Sequence, residues 1–188
     1  MNIAVFASGA GTNARNIIEY FRDRPVIVKL IITNNQFAGV IKIADEFKIP
    51  VLITSSDFIS EKDLVLRELN NKHIDLIVLA GFLKKIPSVI VESFRDRIIN
   101  IHPALLPKYG GKGMYGMKVH QSVLHHNEKY TGITIHYVNE NYDEGNIILQ
   151  KEVLIEPQDD AESIASKVHK LEYIYYPQVI ESLLYRFN

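Results

Sequence analysis

Short apolar runs alternate with amphipathic segments through the first hundred or so residues, and this alternation leaves few folds open. Ile3–Ala7, Val26–Thr33, Pro50–Ile53, Asp75–Ala80 and Ile98–Ile101 read as strands. Asn13–Phe21, Val40–Phe47, Glu61–Asn71 and Pro87–Phe94, between them, read as helices. A β-α-β-α order makes successive strands parallel, because each crossover returns the chain to the same end, and it lays helices on both faces. The pattern changes after about residue 130. There Ile133–Val138 and Ile147–Ile155 read as strands joined by a short acidic loop, hence as antiparallel neighbours. A last helix is expected from about Asp160 to the C-terminus, kinked at Pro177. The expectation is one α/β domain over residues 1–188. Its sheet is Rossmann-like, open and mostly parallel, with helices on both faces and an antiparallel C-terminal strand pair. Gly110 to Met117 is rich in glycine and is expected to be mobile.

Composition narrows the function classes. With 188 residues there is chain enough for a substantial core. The 21 basic and 22 acidic residues nearly cancel, which disfavours nucleic acid as a partner. No cysteine is present, so disulfides, thiolate metal sites and a thiol nucleophile are excluded. Met1-Asn2-Ile3-Ala4-Val5-Phe6 lacks the basic start and long apolar stretch of a signal peptide. The run from Ile74 to Leu83 is too short to span a bilayer and is broken by Asp75. The expectation is a cytoplasmic protein without a membrane partner.

Two segments carry candidate chemistry. Asn100-Ile101-His102-Pro103 closes a strand, so Asn100 and His102 share a face and Pro103 stops the ladder. Polar groups at the carboxyl end of a strand are a common site in open α/β sheets. Asp143-Glu144-Gly145 adds a carboxylate in the later acidic loop. The plainer readings are a structural histidine and an ordinary turn aspartate. Ser8-Gly9-Ala10-Gly11-Thr12-Asn13 follows the first strand and opens the first helix, where free N–H groups attract an anion. Gly9, Gly11 and Ala14 fit the G-x-G-x-x-G/A dinucleotide pattern. The second strand, however, ends Ile31-Ile32-Thr33-Asn34-Asn35, with no acid to hold a ribose diol. A phosphate monoester therefore fits better than a dinucleotide, and a tight turn without ligand is the plainer reading. His120, His125 and His126 lack a metal motif and read as a solvated helix face. Ser8 stands in no G-x-S-x-G elbow. Tyr173, Tyr175 and Tyr176 read as helix packing.

Together with Leu79-Ala80-Gly81-Phe82, the extension Ala104-Leu105-Leu106-Pro107, Thr131-Gly132-Ile133-Thr134-Ile135-His136 and Asn146-Ile147-Ile148, these segments resemble the glycinamide ribonucleotide transformylase family of purine synthesis. The resemblance covers nearly the whole chain. Its N-I-H-P-x-L-L-P segment is specific to folate-dependent formyltransferases as a group and does not choose among them. It implies the formyltransferase fold and 10-formyltetrahydrofolate as co-substrate, with no metal. It implies a phosphate cradle at Gly11, Thr12 and Asn13, and an acid at Glu172 that engages the substrate's glycine amine. It implies a folate wall at Leu83, Lys84, Lys85 and Ile86, with Asn139, Glu140, Asn141, Tyr142 and Asp143 on the pteridine side. The catalytic trio would be Asn100, His102 and Asp143, with Asn100 also against the folate and His136 in support. Lys62 stands where the family often has a folate-contacting arginine. The 108–116 loop is longer than in some members and reads as a lid or a surface loop.

The implied reaction moves a formyl group from N10 of the folate to a primary amine. Asn100 would donate to the oxyanion, His102 would carry the proton, and Asp143 would favour protonated His102. The partners would be two small molecules, phosphoribosylglycinamide and the formyl folate, with the protein a monomer or homodimer. Methionyl-tRNA formyltransferase would need basic surface and a further domain. Formyltetrahydrofolate deformylase would need an N-terminal regulatory domain. A sugar-nucleotide N-formyltransferase would share the trio, and in a non-catalytic nucleotide-binding module His102 would be structural.

Overall fold

A computed structural model describes residues 1–55 and 57–186. The strands are β1 (Asn2–Phe6), β2 (Ile27–Thr33), β3 (Val51–Ile53), β4 (Leu76–Leu79), β5 (Ile98–His102), β6 (Tyr130–Tyr137) and β7 (Ile147–Leu154). The helices are α1 (Thr12–Tyr20), α2 (Val40–Glu46), α3 (Lys62–Asn71), α4 (Ser88–Ser93), α5 (Met117–His125) and α6 (Ala161–Ser182), followed by a 3-10 turn over Leu183–Arg186. One sheet runs in the order β3-β2-β1-β4-β5-β6-β7. Its first five strands pair in parallel, and β6 and β7 continue it antiparallel.

The alternation of strand side chains divides the core between two faces. Ile3, Val5 and Ala7 point to the face covered by α1, α2 and α6, where Ile17, Val40, Ile164 and Val168 meet them. Ala4 and Phe6 point the other way, against Val65 and Leu69 of α3 and Ile90 of α4. Strands buried on both sides carry no polar alternation, which is why β4 is uniformly buried. The edge strand β7 alternates instead.

Helix α6 is the longest element and crosses the sheet beneath the site. Asp160 caps it: its side chain accepts from Ser163 N at 2.8 Å while Ser163 Oγ accepts from Asp160 N at 3.0 Å. The helix continues through Pro177 as far as Ser182. Proline has no N–H for the carbonyl four residues back, at Tyr173. Asn16 of α1 supplies the missing donor, its Nδ2 lying 2.9 Å from Tyr173 O. Tyr176 is fully buried and donates its hydroxyl to Leu79 O at 2.8 Å, tying α6 to the sheet centre. Tyr176 thus serves packing, and half-buried Tyr175 lies against the same core. The expected helix to the C-terminus ends, at residues 187 and 188, outside the described residues.

Helix α5 is an element the hydrophobic pattern did not delimit. Its buried stripe is only Val119, His120 and Val123, too short a period to stand out. It also corrects the histidine reading. His125 and His126 are exposed, but His120 is 2% exposed and faces inward. Among the described residues no helix is long and apolar enough to cross a membrane.

Candidate active site

The strand order reverses between β1 and β4, the place where open α/β sheets commonly bind ligands. Ser8 joins the loops leaving the two strands. Its N–H donates to Gly81 O at 3.0 Å, and its hydroxyl accepts from Leu83 N at 3.0 Å. Asn34 and Asn35, where a dinucleotide site would carry an acid, fold back on this loop. Ser8 Oγ donates to Asn34 Oδ1, and Asn35 Nδ2 donates to Ser8 O at 3.3 Å. Sequence reasoning missed this bracing role of Ser8, whose only sign was a serine between two loops.

Gly11 caps α1 in the left-handed region, at φ 79°, and no side chain satisfies the first N–H groups of the helix. A Cβ on Gly11 would lie 2.8 Å from Val40 Cα, so packing and backbone angle both require glycine. Thr12 and Asn13 form the first turn of α1. Asn13 Nδ2 donates to Glu172 Oε2 at 2.8 Å, joining the loop to α6, while Asn13 Oδ1 is buried without a partner. Burial raises the pKa of Glu172, against the opposing pull of Asn13 and His169.

The second group of residues assembles at the end of β5. Asn100 stands opposite His136 of β6, and His102 opposite Thr134. Asn100 Nδ2 lies 3.1 Å from His136 Nε2 and 3.4 Å from Asp143 Oδ1. His136 Nδ1 is 2.8 Å from the Tyr137 carbonyl. A carbonyl only accepts, so that nitrogen carries a hydrogen, and Nε2 faces both Asn100 Nδ2 and Asp143 Oδ1. A register shift between Ile135 and His136 in the β6–β7 pair bends the sheet beside this cluster. Asp143 reaches the cluster from the β6–β7 loop, with φ at 57°. Its Oδ2 accepts from Gly111 N at 2.8 Å and lies 3.6 Å from His102 Nδ1. Its Oδ1 lies 3.6 Å from His136 Nε2. The trio expected from the sequence and the supporting histidine therefore converge on one carboxylate.

His102 is 4% exposed, and its Nε2 lies 2.7 Å from the Tyr109 carbonyl. Nε2 must donate there, so Nδ1 is the nitrogen left to exchange a proton, and it faces Asp143. Burial lowers the pKa of His102, and the charge of Asp143 and the Tyr109 carbonyl only partly offset this. Asp143, 3.6 Å from Nδ1, does favour the protonated ring as expected, but desolvation outweighs it. Burial pushes the Asp143 carboxyl up, but the His136 and His102 rings and the Gly111 N–H outweigh it and hold the group below its ordinary range.

The expected folate wall is split. Leu83 is 49% exposed and Lys85 is exposed, Lys84 is half-buried, and Ile86 is packed into the core with Ile90 and Phe94. Asn139, Glu140, Asn141 and Tyr142 form an exposed loop held by its own bonds, Asn141 N donating to Asn139 Oδ1 at 2.9 Å and Asn141 Nδ2 to Glu144 Oε2 at 2.8 Å. Lys62 opens α3 with its side chain exposed. The segment from Gly110 to Met117, expected to be mobile, is tied into the cluster at its start through Gly111 and, just before it, Tyr109. Sequence reasoning missed both residues, because they act through backbone atoms that no side-chain type announces. A cavity of about 550 Å³ opens at the amino ends of the strands, beside Lys29, Phe47, Pro50 and Lys72, and contains none of the candidate residues. Among the described residues no group of three or more histidine and acidic side chains is arranged to hold a metal ion.

Residues 1–180 match the profile of the formyl transferase family. The chain is 42% identical over 189 residues to the chloroplastic phosphoribosylglycinamide formyltransferase of Arabidopsis thaliana, covering 96% of this chain and 64% of the plant protein. It thus spans just under two thirds of that relative. It is 35% identical over 187 residues to the phosphoribosylglycinamide formyltransferase of Bacillus subtilis, covering 96% of this chain and 93% of the relative. The crystal structure of the phosphoribosylglycinamide formyltransferase from Bacillus halodurans superposes with a TM-score of 0.89 at 35% identity, covering 98% of this chain and 95% of that one.

Proposed function

The chain belongs to the formyl transferase family, and on that premise we propose that it moves the formyl group of 10-formyltetrahydrofolate to the glycine amine of N1-(5-phospho-D-ribosyl)glycinamide. The products are the N-formyl ribonucleotide and tetrahydrofolate, and the step belongs to purine synthesis. The observation that carries the reading is the convergence of Asn100, His102 and His136 on Asp143 at the carboxyl end of β5. The uncapped start of α1 follows β1, at the same carboxyl end of the sheet.

Each residue has its share of the work. Gly11, Thr12 and Asn13 hold the phosphate against the free N–H groups of α1. Glu172, held by Asn13 Nδ2, receives the amine end of the substrate. Leu83 to Ile86, the 139–143 loop and Lys62 hold the folate. The amine attacks the formyl carbon, and the carbonyl electrons move onto oxygen. Asn100 Nδ2 donates to that oxyanion by giving up its longer, 3.4 Å contact with Asp143. The attacking amine must lose one proton and N10 must gain one. A buried, neutral His102 is ready to accept at Nδ1, where Asp143 stabilises the imidazolium, and to return the proton to N10. General acid–base help of this kind is worth about 10²–10⁴ in rate. No covalent enzyme intermediate is needed. The activity is assigned to one domain over residues 1–188 that works on small molecules in the cytoplasm, as a monomer or homodimer.

The test is a spectrophotometric assay with glycinamide ribonucleotide and 10-formyltetrahydrofolate, run beside a control without acceptor. Acceptor-dependent release of tetrahydrofolate supports the reading. Release without acceptor makes the protein a deformylase, and no release from folded protein points to another acceptor or to a binding module. His102→Ala and Asp143→Asn are expected to lose most turnover while remaining folded.

A further inference from the structure

Tyr109 stands in the left-handed backbone region, with φ at 58°, where a residue with a large side chain seldom sits. Such outliers persist only where the surroundings over-determine them. Here both ends of the turn are used. The Tyr109 carbonyl takes the Nε2 hydrogen of His102 at 2.7 Å, and two residues on the Gly111 N–H reaches Asp143 Oδ2 at 2.8 Å. Between them Gly110 packs on Asp143, since a Cβ at Gly110 would lie 3.3 Å from Asp143 Cβ and 2.5 Å from Leu106 Cδ2. One short turn thus contacts the histidine with an acceptor and the carboxylate with a donor.

A glycine would take this φ without strain, so the tyrosine side chain requires its own account. Its ring lies against Ala104 and against Val119 and Val123 of α5, with the His126 ring 5.6 Å away. Its hydroxyl donates to Glu128 Oε1 at 3.0 Å, and Lys108 Nζ holds the same oxygen at 2.8 Å. Glu128 lies beyond the far end of α5, so the side chain fastens the turn to that helix and to the segment that follows it.

We propose that Tyr109 is a positioning residue for the catalytic pair: anchored on Glu128 and α5, it holds the turn that fixes which nitrogen of His102 carries the hydrogen and how Asp143 faces it. Carbonyl 109 confines the hydrogen to Nε2 and leaves Nδ1, facing Asp143, as the single site of proton exchange. The groups facing His102 are Asp143 from the β6–β7 loop, His136 from β6 and His120 from α5. Of these, Asp143 shares the turn. The inference rests on the catalytic reading of His102 and Asp143 given above.

The test uses the full chain with Tyr109→Phe, Tyr109→Gly and Glu128→Gln. ¹⁵N spectra of the imidazole rings, with the His102 signals assigned by their loss in His102→Gln, report the tautomer without any turnover. The wild type is expected to show His102 with its hydrogen on Nε2, and the variants a mixture of Nε2 and Nδ1 forms. In turnover, kcat is expected to fall about ten- to a hundredfold, the scale for a misplaced catalytic group, with both KM values within about twofold. The pH dependence of kcat/KM should move to lower pH in the variants, because the Tyr109 carbonyl supports the protonated ring. A single Nε2 tautomer in all three variants overturns the proposal. So does a lowered Tm with unchanged tautomer and pH profile, which leaves Tyr109 a packing residue. Locking in the wild type, release in the variants and no formyl transfer by any of them keeps the positioning role and discards the activity.

Discussion

Asn100 offers the sharpest separation of catalysis from stability. Its Nδ2 meets His136 Nε2 at 3.1 Å and Asp143 Oδ1 at 3.4 Å, on a half-buried side chain. Removing two such bonds, one of them long, costs about 1–2 kcal/mol of stability at ordinary net values. At about 2–4 °C per kcal/mol for a domain of this size, Asn100→Ala should lower Tm by about 2–8 °C. Loss of a donor to the developing oxyanion should lower kcat about 10²–10³-fold, or roughly 2.7–4 kcal/mol of barrier. The two effects differ enough to be told apart. Asn100→Asp keeps the shape but sets an oxygen where the 3.4 Å contact to Asp143 was, and two carboxylates at that distance cannot both ionise easily. It should lose the donor and shift the pH profile as well. The assay is steady-state turnover with both substrates saturating, alongside thermal unfolding of each variant. Folded Asn100→Ala with kcat within about threefold of wild type would refute the oxyanion role. A rise in KM at constant kcat would mean that Asn100 binds substrate and transition state equally.

Three further outcomes follow from the geometry. Gly11→Ala places a Cβ 2.8 Å from Val40 Cα at a left-handed φ; the angle costs about 1–2 kcal/mol and the overpacking about 1–3, so thermal unfolding should show Tm lowered by roughly 4–20 °C. Burial lowers the pKa of His120, with help from His169 and His102, to about 4. Since the unfolded ring titrates near 6.5, the unfolded chain binds the extra proton first, and stability should fall as pH drops from about 6.5 through 4 by on the order of 3 kcal/mol. Denaturant unfolding of His120→Gln should show that acid limb flattened, and an unchanged limb would place its origin elsewhere. Glu172 has the opposite sign: burial raises its pKa, so its contribution is present below the unfolded carboxyl range and is lost as pH rises through the folded value. Glu172→Gln should therefore gain Tm relative to wild type at alkaline pH while the KM for the ribonucleotide rises. Equal Tm values at all pH would mean that the carboxylate is better solvated than its burial implies.

The parallel half of the fold was legible because β1, β4 and β5 are short apolar runs punctuated by helices of clear period, and Asn100 and His102 were legible because a strand of period two ends at a proline. Helix α5 was not, since its apolar stripe is two valines and a histidine. His120 was misread for the same reason: without the helix delimited, nothing in its neighbours distinguishes it from exposed His125 and His126. The pull of Asp143 on the His102 proton was legible, but not its balance against burial. A sequence places a carboxylate near a histidine but does not weigh that charge against the desolvation of a ring 4% exposed.

By itself the sequence determined what depends on local order: element type, the proline and glycine stops, the pairing of Asn100 with His102 on one face, and the family resemblance. Only the tertiary structure decided what depends on distance through space. It brought Asp143 from the β6–β7 loop to within 3.6 Å of both His102 and His136. It let Asn16 satisfy the carbonyl that Pro177 leaves free, and it turned the Tyr109 carbonyl onto His102. Backbone carbonyls and N–H groups are the same in every residue, so their use in a site is invisible until the chain has folded around them.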